Sequence, residues 1–506
     1  MSKTREALFG RLISTPRIAL TLVIIVSCLA LALSVSSCGT KTSAIYTPPK
    51  EADFSKLTWT DAFDQLVQKM QREYAFTEWK SIKWESISAK YRPLIEKAQS
   101  TNDFSQYYIA LKGFLAAVPD GHVMMLGDDQ GVMKAEVGGG FGIVAMKLDD
   151  RRIVVVRVTQ GSPADAAGMK AGAELIQWDG KTIDKALSQT STVFAKVSLA
   201  TSEDVTYQRL MFLVRAPVGA TKAVTFKNLG DSAAKAVTLT AVDDGMETLA
   251  FTNPYYDFKG LKPQKLIESK TLPGDVGYIK IIVEANMPEA QPGDHTPTTE
   301  LFKQAVDSLI KANVTGIVLD VRGNLGGEDS MVSDFLSSFY KDSTLYEYQN
   351  WYNAENGKME IWLGSDQTQQ YSDPGKSLDI VPGTPRYDGP IVAMINTGCI
   401  SSGEGVAMGV KNLPDGRVVG FWSTNGSFGM SGDNALMPDG LTASFPYGQS
   451  LDKDKVVQID SRNGVGGISP NKKIPMTIEN ALKWGVGQDV ELEYALKALT
   501  EIGKNK

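Results

Sequence analysis

One segment presents a serine where a nucleophile could act. Residues 395–405 read as the end of an apolar strand followed by a helix, with Ser401 at the turn between them. A serine in that place has its oxygen at the edge of a sheet, and the helix N-terminus favours developing negative charge. Ser401 and Glu404 also fit a capping box, in which the serine only caps the helix. Cys399, two residues earlier, is a rival nucleophile or else a small buried residue.

A second segment offers backbone donors. Residues 319–327 read as an apolar strand that ends in Asp320-Val321-Arg322-Gly323-Asn324 and is followed by the glycine pair Gly326-Gly327. Glycines at a strand-to-helix turn expose backbone N–H groups, which suit an anion or an oxyanion.

The elements that must position both segments alternate between strand and helix from residue 250 to about 500. This alternation predicts an α/β fold with parallel crossovers, whose function lies at the carboxyl ends of the strands. The expected strands are Val276–Val283, Thr315–Val321, Pro390–Asn396 and Arg417–Trp422, and the expected helices are Glu300–Asn313, Met331–Tyr340 and Ser402–Leu413.

Residues 57–118 are helical in pattern, with apolar residues recurring at steps of three and four. Pro119-Asp120-Gly121 ends the last helix, and His122 follows at once. Two or three packed helices are therefore expected here, with His122 at their exit.

Residues 137–245 change character and are rich in strands. The Gly140-Phe141-Gly142-Ile143 loop, the Gly161-Ser162-Pro163-Ala164 segment and the Asp179-Gly180 turn follow one another in order. Together they resemble a PDZ domain of the bacterial protease type. The resemblance implies that amides of residues 140–143 bind a peptide carboxylate while a strand accepts the peptide by β-augmentation. The alternative is that the glycines only permit a tight turn.

The first 37 residues have the outline of a secretory signal: a basic start, an apolar run from Ile18 to Ser34, and Val35-Ser36-Ser37-Cys38 at the end. The ending resembles a bacterial lipobox, which predicts lipidation of Cys38; the alternative is a retained transmembrane helix. Residues 38–56 would tether the body to the membrane. Only Cys399 would then remain as a free thiol, so no intramolecular disulfide is expected.

Length and composition narrow the class of protein further. The chain has 506 residues, 42% of them hydrophobic, and a net charge of −6. That length predicts two to four domains, and the lack of a long basic run argues against a nucleic-acid partner. The two histidines, His122 and His295, make a histidine-rich metal site unexpected, and no cofactor or metal is predicted.

Five ordered motifs resemble the C-terminal processing peptidase and tricorn-core superfamily of serine peptidases. They are Gly277–Ile281, the helix Glu300–Asn313, the Asp-x-Arg-Gly-Asn-x-Gly-Gly turn, the Ser-x-x-Glu segment at Ser401, and Gly467–Asn471. The resemblance implies a multidomain α/β protein with a helical region at 57–130, a PDZ domain at 137–245, and a crotonase/ClpP-like peptidase core at 250–500. It also places the nucleophile on Ser401.

The superfamily has two catalytic variants. The processing peptidases place a lysine 25 residues after the serine, where this chain has Gly426, so a Ser–Lys dyad is not expected. The tricorn-like branch takes a histidine from an Asp-Gly-His segment, which Asp120-Gly121-His122 matches. The resemblance therefore implies that His122 is the general base; the alternative is a loop histidine. His295 is expected at the surface.

The resemblance also implies a carboxylate that orients the imidazole. In the tricorn-like branch an acid lies about 60 residues after the serine; here Val457–Asp460 is expected to be a strand that ends in Asp460, 59 residues after Ser401. Glu404 is the alternative orienter. The expected oxyanion donors are the Ser402 N–H and one N–H from Gly326 or Gly327.

The expected function is a lipid-anchored serine endopeptidase that cleaves exported proteins or peptides in a bacterial envelope. Gly39, rather than aspartate, follows Cys38, which in a bacterium with two membranes favours release to the outer membrane and a periplasmic location. The alternative is a catalytically silent lipoprotein that keeps the fold and binds peptides through the PDZ domain. The absence of the dyad lysine favours the silent protein, and the Asp-Gly-His segment favours the enzyme.

Overall fold

The helices expected between residues 57 and 118 form for local reasons. The Thr58 and Asp103 side chains accept hydrogen bonds from backbone N–H groups in the first turns of the helices Trp59–Glu73 and Phe104–Ala116. In the first of these helices the residues Phe63, Leu66 and Met70 repeat at steps of three and four, and all are fully buried.

The computed structural model describes residues 46–253, 265–287, 296–365 and 370–504. The signal segment 1–37, Cys38 and His295 lie outside these residues. The described helices are α1 Trp59–Glu73, α2 Trp84–Thr101, α3 Phe104–Ala116, α4 Val132–Val137, α5 Pro163–Ala166, α6 Ile183–Gln189, α7 Ser202–Leu213, α8 Glu247–Thr252, α9 Thr298–Lys311, α10 Asp329–Leu336, α11 Ser402–Asn412, α12 Ile478–Gly485 and α13 Val490–Lys504.

The strands are numbered along the same residues. They are β1 Ala52–Asp53, β2 Met124–Leu126, β3 Gly139–Gly140, β4 Ile143–Lys147, β5 Ile153–Val158, β6 Glu174–Trp178, β7 Lys181–Thr182, β8 Arg215–Ala216, β9 Thr221–Lys227, β10 Lys235–Thr240, β11 Val242–Asp243, β12 Ile267–Leu272, β13 Val276–Ile281, β14 Gly316–Asp320, β15 Thr344–Asn353, β16 Lys358–Ser365, β17 Gln370–Pro374, β18 Leu378–Ile380, β19 Ile391–Met394, β20 Gly416–Gly420, β21 Gly429–Leu436, β22 Thr442–Leu451 and β23 Lys472–Lys473.

The parallel sheet predicted for the C-terminal half is present. Its strand order is β12-β13-β14-β19-β20-β23, with only the β12–β13 pair antiparallel. Along β14, Ile317 and Leu319 belong to one hydrophobic core, and Val318 between them belongs to another. Both faces of the strand are therefore buried, as a continuous apolar run predicts.

A mixed sheet of eight strands, which the sequence did not predict, stands beside it. Its order is β1-β21-β22-β15-β16-β17, with β18 on β15 and β2 on β22. The N-terminal region contributes β1 and β2 to this sheet in addition to its helices. The strand β2 begins two residues after His122, so its pairing with β22 fixes where the histidine lies.

Residues 139–243 form two small sheets. One has the order β10-β9-β6-β5-β4 with β7 on β6, and the other has the order β11-β3-β8. The chain is thus a multidomain α/β protein with helices and several sheets. No helix within the described ranges is both long enough and apolar enough to cross a membrane.

The strand expected at Val457–Asp460 is absent. Val457 forms only an isolated bridge with Leu451. Ile459 has a φ of 67°, a left-handed conformation that interrupts any extended run. Asp460 therefore lies in an irregular loop.

Candidate active site

Ser401 occupies the sharp turn between β19 and α11. Its backbone has φ 59° and ψ −137°, a conformation that non-glycine residues rarely adopt and that costs about 1–3 kcal/mol. The Ser401 N–H donates to the Ser427 carbonyl at 3.0 Å. The hydroxyl makes no capping hydrogen bond. The capping-box interpretation is therefore wrong, and the hydroxyl of this half-buried side chain remains available for chemistry.

Glu404, the other half of the expected box, reaches a different loop. One carboxyl oxygen accepts from Gly426 N at 2.5 Å and the other accepts from Ser427 N at 3.2 Å. Burial raises the pKa of this carboxyl well above its usual range. Glu404 thus holds the loop that contacts Ser401.

The glycine turn after β14 packs directly on Ser401. The Asn324 side chain donates to Ile281 O at 3.1 Å and to Glu284 Oε1 at 2.8 Å, and Ile400 N donates to Asn324 O at 3.0 Å. A Cβ on Gly326 would lie 2.4 Å from the Ser401 Cβ. Only glycine allows this turn to come so close.

The expected oxyanion donors differ in whether their N–H groups are available. Ser402 is the first residue of α11, where backbone N–H groups have no partner within the helix. The Gly326 N–H is already used, since it donates to Asn324 Oδ1 at 2.7 Å. Of the two glycines, Gly327 is therefore the better candidate, and its backbone passes so near Glu284 that a Cβ would lie 2.1 Å from the Glu284 carbonyl oxygen.

The His122 turn is brought to the same place by Ser427. Gly121 N donates to Ser427 Oγ at 2.7 Å, while the Ser427 carbonyl accepts from Ser401 N. A Cβ on Gly121 would lie 2.3 Å from Ile400 Cδ1. One residue thus contacts both the nucleophile segment and the histidine segment. The His122 side chain itself is largely buried, with 6% of the residue exposed.

Two buried carboxylates adjoin this turn. Asp120 Oδ1 accepts from His122 N at 2.9 Å and lies 3.6 Å from His122 Nδ1, which is beyond hydrogen-bond length. Asp460, the expected orienter, pairs with Lys80 Nζ at 2.9 Å and accepts from Phe428 N at 2.8 Å. Within the described ranges, the imidazole lies at ion-pair distance from Asp120 and not from Asp460.

The two carboxylates differ in their tendency to ionise. Burial raises the pKa of Asp460 and the neighbouring Asp120 charge raises it further, against the opposing charge of Lys80. Burial acts in the same direction on Asp120, but the Lys80 charge and the His122 and Tyr74 donors outweigh it and lower its pKa. Of the two carboxylates, Asp120 is therefore the one that ionises more readily.

The rival catalytic groups fit poorly. Cys399 is fully buried, and burial together with the nearby Glu404 charge raises the pKa of its thiol well above the usual range. Gly426 stands where the dyad lysine would be, with a φ of 82°; a Cβ there would lie 3.0 Å from both Gly467 N and Thr201 Cγ2. A lysine side chain would be strained and crowded at that position.

The Gly140–Ile143 segment is mostly interior. Phe141 and Ile143 are fully buried, and the Phe141 and Gly142 carbonyls accept from Ala164 N and Thr159 N. Gly142 has a φ of 77°, and a Cβ there would lie 2.1 Å from the Ser162 Cβ. Position 142 therefore requires glycine, both for its backbone conformation and for the space beside Ser162.

Sequence reasoning missed several residues that shape the site. Arg322 pairs with Asp320 at 2.7 Å and with Asp489 and Glu491 at 2.8 Å, which ties the end of β14 to the start of α13. Asn324 and Asp120 stand inside motifs that were singled out, and their polar side chains beside glycines were the available signal. Lys80 and Ser427 carry no local signal, since their partners are far away in the chain.

Comparisons with known proteins show which families the chain resembles. Residues 275–474 match Peptidase family S41, and residues 55–107 match the Tricorn protease C1 domain. The nisin-resistance protein of Lactococcus lactis subsp. lactis is 27% identical over 184 residues, which are 36% of this chain and 52% of that protein. The chain thus matches about half the length of this curated relative.

Solved structures share the fold. Mature CPAF is 16% identical with a TM-score of 0.61, covering 89% of this chain and 98% of that one. Mature CPAF complexed with lactacystin is 15% identical with a TM-score of 0.60, covering 89% and 99%. The chain therefore contains a peptidase family S41 domain and, before it, a tricorn protease C1 domain, which confirms the resemblance drawn from its motifs.

Proposed function

We propose that the protein is a serine endopeptidase with Ser401 as nucleophile and His122 as general base. The observation that carries the proposal is the strained turn at Ser401, whose hydroxyl makes no capping hydrogen bond and whose backbone is linked to the His122 turn through Ser427. Strain of this kind persists where the surroundings impose it, and it favours a functional role for the residue.

The chemistry follows the acyl-transfer scheme. The Ser401 oxygen attacks the peptide carbonyl carbon while its proton moves to His122, and the oxyanion accepts from Ser402 N–H and Gly327 N–H. The imidazolium then protonates the leaving amine as the peptide bond breaks. Water, deprotonated by His122, attacks the acyl-enzyme carbonyl carbon. The bond from that carbon to Ser401 Oγ then breaks, the carboxylic acid product leaves, and His122 passes its proton to Ser401 Oγ.

A buried carboxylate is needed to stabilise the imidazolium during both steps. Asp460 was expected in that role, with Glu404 as the alternative. Their hydrogen bonds go to Lys80 and Phe428 N and to the 426–427 loop, respectively. Asp460 and Glu404 therefore stabilise segments around the site, and Asp120 is the carboxylate next to the imidazole.

Hydrolysis of a broad peptide library tests the activity. We expect the wild-type chain to cut within peptides, giving paired internal fragments by mass spectrometry, and Ser401→Ala to give none. Release of single terminal residues would contradict the endopeptidase assignment. A folded wild-type protein that cleaves nothing would favour the catalytically silent peptide-binding lipoprotein.

We propose further that residues 137–245 form a PDZ domain in which the 140–143 loop receives a peptide C-terminus. The support is the Gly-Phe-Gly-Ile pattern, with β4 at the end of its sheet's strand order, where an added strand could pair. Binding of a peptide acid and of its C-terminal amide should be compared by calorimetry. Weaker binding of the amide supports carboxylate recognition; equal binding contradicts it.

The location is also a proposal. The leader and Cys38 support a lipid-anchored protein of the bacterial envelope, with the outer membrane favoured. Mass spectrometry of the mature N-terminus should find a lipid-modified Cys38. An unmodified Cys38 or a retained Met1 would contradict this anchoring.

A further inference from the structure

A lysine far from the catalytic motifs lies behind the His122 turn. The Lys80 side chain is 1% exposed, and its ammonium contacts Asp460 Oδ1 at 2.9 Å and Asp120 Oδ2 at 3.8 Å. It also donates to Pro119 O and Ser461 Oγ, both at 3.0 Å. Lys80 thus contacts the backbone just before the His122 turn and both carboxylates beside it.

The charges in this cluster do not balance. Lys80 contributes one positive charge against the two carboxylates of Asp120 and Asp460, all three side chains being almost fully buried. Buried charge without a partner is costly. An imidazolium at His122, forming 3.6 Å from Asp120, would supply the missing positive charge.

We propose that Lys80 is a positioning residue that acts through Asp120: it keeps the Asp120 carboxylate charged beside His122 Nδ1 and fixes the Pro119–His122 turn. Asp120 then stabilises the imidazolium, and Asp460 serves to hold Lys80. The inference rests on the proposed Ser401–His122 catalysis and names the residues that support its base.

The ionisable groups around the cluster set its pH response. Asp120 faces Lys80, Tyr74 and His122, while Lys80 also faces Asp460 and Glu404. Tyr74 donates to Asp120 Oδ2 at 2.7 Å, and burial raises the Tyr74 pKa well above its usual range. Tyr74 therefore stays neutral, and Lys80 is the positive charge that holds the Asp120 pKa below its usual range.

Lys80→Met tests the inference, because it keeps the length of the side chain and removes the charge. Without Lys80 the Asp120 pKa rises, so the acidic limb of kcat/KM should move to higher pH. We expect kcat at neutral pH to fall by ~10²-fold with KM changed little, the effect of weakening a general base. An unchanged kcat and pH profile in the variant would overturn the inference.

A second substitution separates charge from packing. In Lys80→Met/Asp460→Asn the competing carboxylate is gone, so Asp120 ionises more readily than in the single variant, and kcat should recover by ~10-fold. Activity as low as that of Lys80→Met, or lower, would contradict the role of Asp120. Should Lys80→Met fail to fold, the double variant is compared with wild type: a kcat within ~10-fold of wild type supports the inference, and a loss of ~10²-fold or more overturns it.

Lys69→Met is the matched control. Lys69 is a buried lysine on α1 that pairs with Glu73 at 2.6 Å. Its loss should lower the unfolding midpoint but leave kcat and the pH profile as in the wild type; a pH shift as large as that of Lys80→Met would overturn the inference. Wild-type protein that neither cleaves peptides nor labels at Ser401 would instead refute the proposed function itself.

Discussion

The parallel sheet that carries Ser401 and the mixed sheet that holds the His122 turn are assembled from different kinds of sequence signal. In the parallel sheet, the strands β14 and β19 are apolar runs, each followed by a glycine-containing turn and a helix. In the mixed sheet, the three residues of β2 pair with β22, more than 300 residues later in the chain. The nucleophile therefore lies in a turn that its own strand and helix form, and the base is held by partners from remote segments.

This difference predicts which substitutions should disturb the Ser401 turn and which should disturb the His122 turn. The turns around Ser401 depend on glycines that admit close backbone approach, as at Gly326. The His122 turn depends on single buried polar contacts, such as Gly121 N with Ser427 Oγ. Substitutions in the first region should displace atoms, and substitutions in the second should loosen an arrangement that is otherwise intact.

The largest effect should come from removing either half of the catalytic pair. Ser401→Ala and His122→Ala should each lower kcat by ~10³-fold or more, and the double variant should be little worse, because the two side chains act as one unit. Since the Ser401 hydroxyl caps nothing, Ser401→Ala should leave the free energy of unfolding nearly unchanged. Multiplicative losses in the double variant would show that the two residues act separately.

Gly326→Ala should have the next largest effect. Its Cβ would lie 2.4 Å from the Ser401 Cβ and 2.9 Å from Oγ, so we expect kcat to fall by ~10²-fold, the effect of displacing a catalytic atom by about 1 Å. Gly487→Ala is the control, since its φ of 84° matches the 82° of Gly326 and no atom lies within 4 Å of its Cβ position. Equal losses of activity in both variants would attribute the effect to backbone strain alone.

Ser427→Ala should act more mildly. The buried Gly121 N–H loses its acceptor, which costs ~1–3 kcal/mol in the free energy of unfolding, and kcat should fall by ~10-fold as the His122 turn loosens. The backbone bond from Ser401 N to Ser427 O is retained. The control is Ser337→Ala, whose hydroxyl donates to the nearby Asp334 carbonyl at 2.6 Å. Wild-type kcat in Ser427→Ala would argue that the base is not held through this contact.

The smallest effect is expected at Cys399. Because the thiol is fully buried and its pKa is raised, it should resist alkylation at neutral pH in the native protein and react only after unfolding. Cys399→Ala should cost about 1–2 kcal/mol of stability and leave kcat within ~2-fold of wild type. A large loss of kcat in a folded variant would revive the thiol as nucleophile.

The same comparison shows how much of the fold could be predicted from the sequence. The strands β13, β14, β19 and β20 of the parallel sheet and the helices α9, α10 and α11 were predicted to within a few residues, because burial of the strands on both faces leaves continuous apolar runs. The outer strands β12 and β23 were not predicted. The mixed sheet was missed although its β15–β16–β17 and β21–β22 hairpins join neighbouring segments; the pairs that assemble it, β1–β21, β2–β22 and β15–β22, join segments far apart in the chain. Asp460 was picked out by its spacing from Ser401, but its partner Lys80 belongs to another part of the chain, and the positive φ of Ile459 breaks the strand expected there.

The functional segments divide in the same way. The glycine turn was recognised from its residue types, and the Asp-Gly-His turn from the resemblance to the tricorn-like branch. The Cβ positions of Gly326 and Gly121 lie beside Ser401 and its neighbour Ile400, respectively. The Gly142→Glu substitution that the PDZ resemblance suggests would not test peptide binding cleanly, because Ser162 already fills the space of a Cβ there. Which side chains a tight turn excludes depends on the residues that lie close to it in space, and the sequence alone does not identify those residues.

The site of attachment of a fluorophosphonate probe tests the central claim most directly. Wild-type protein should carry the phosphonyl group on Ser401, identified by peptide mass spectrometry, and His122→Ala should label much more slowly because the hydroxyl has lost its base. Attachment to Ser402 or Cys399, or equally fast labelling without His122, would contradict the Ser401–His122 assignment.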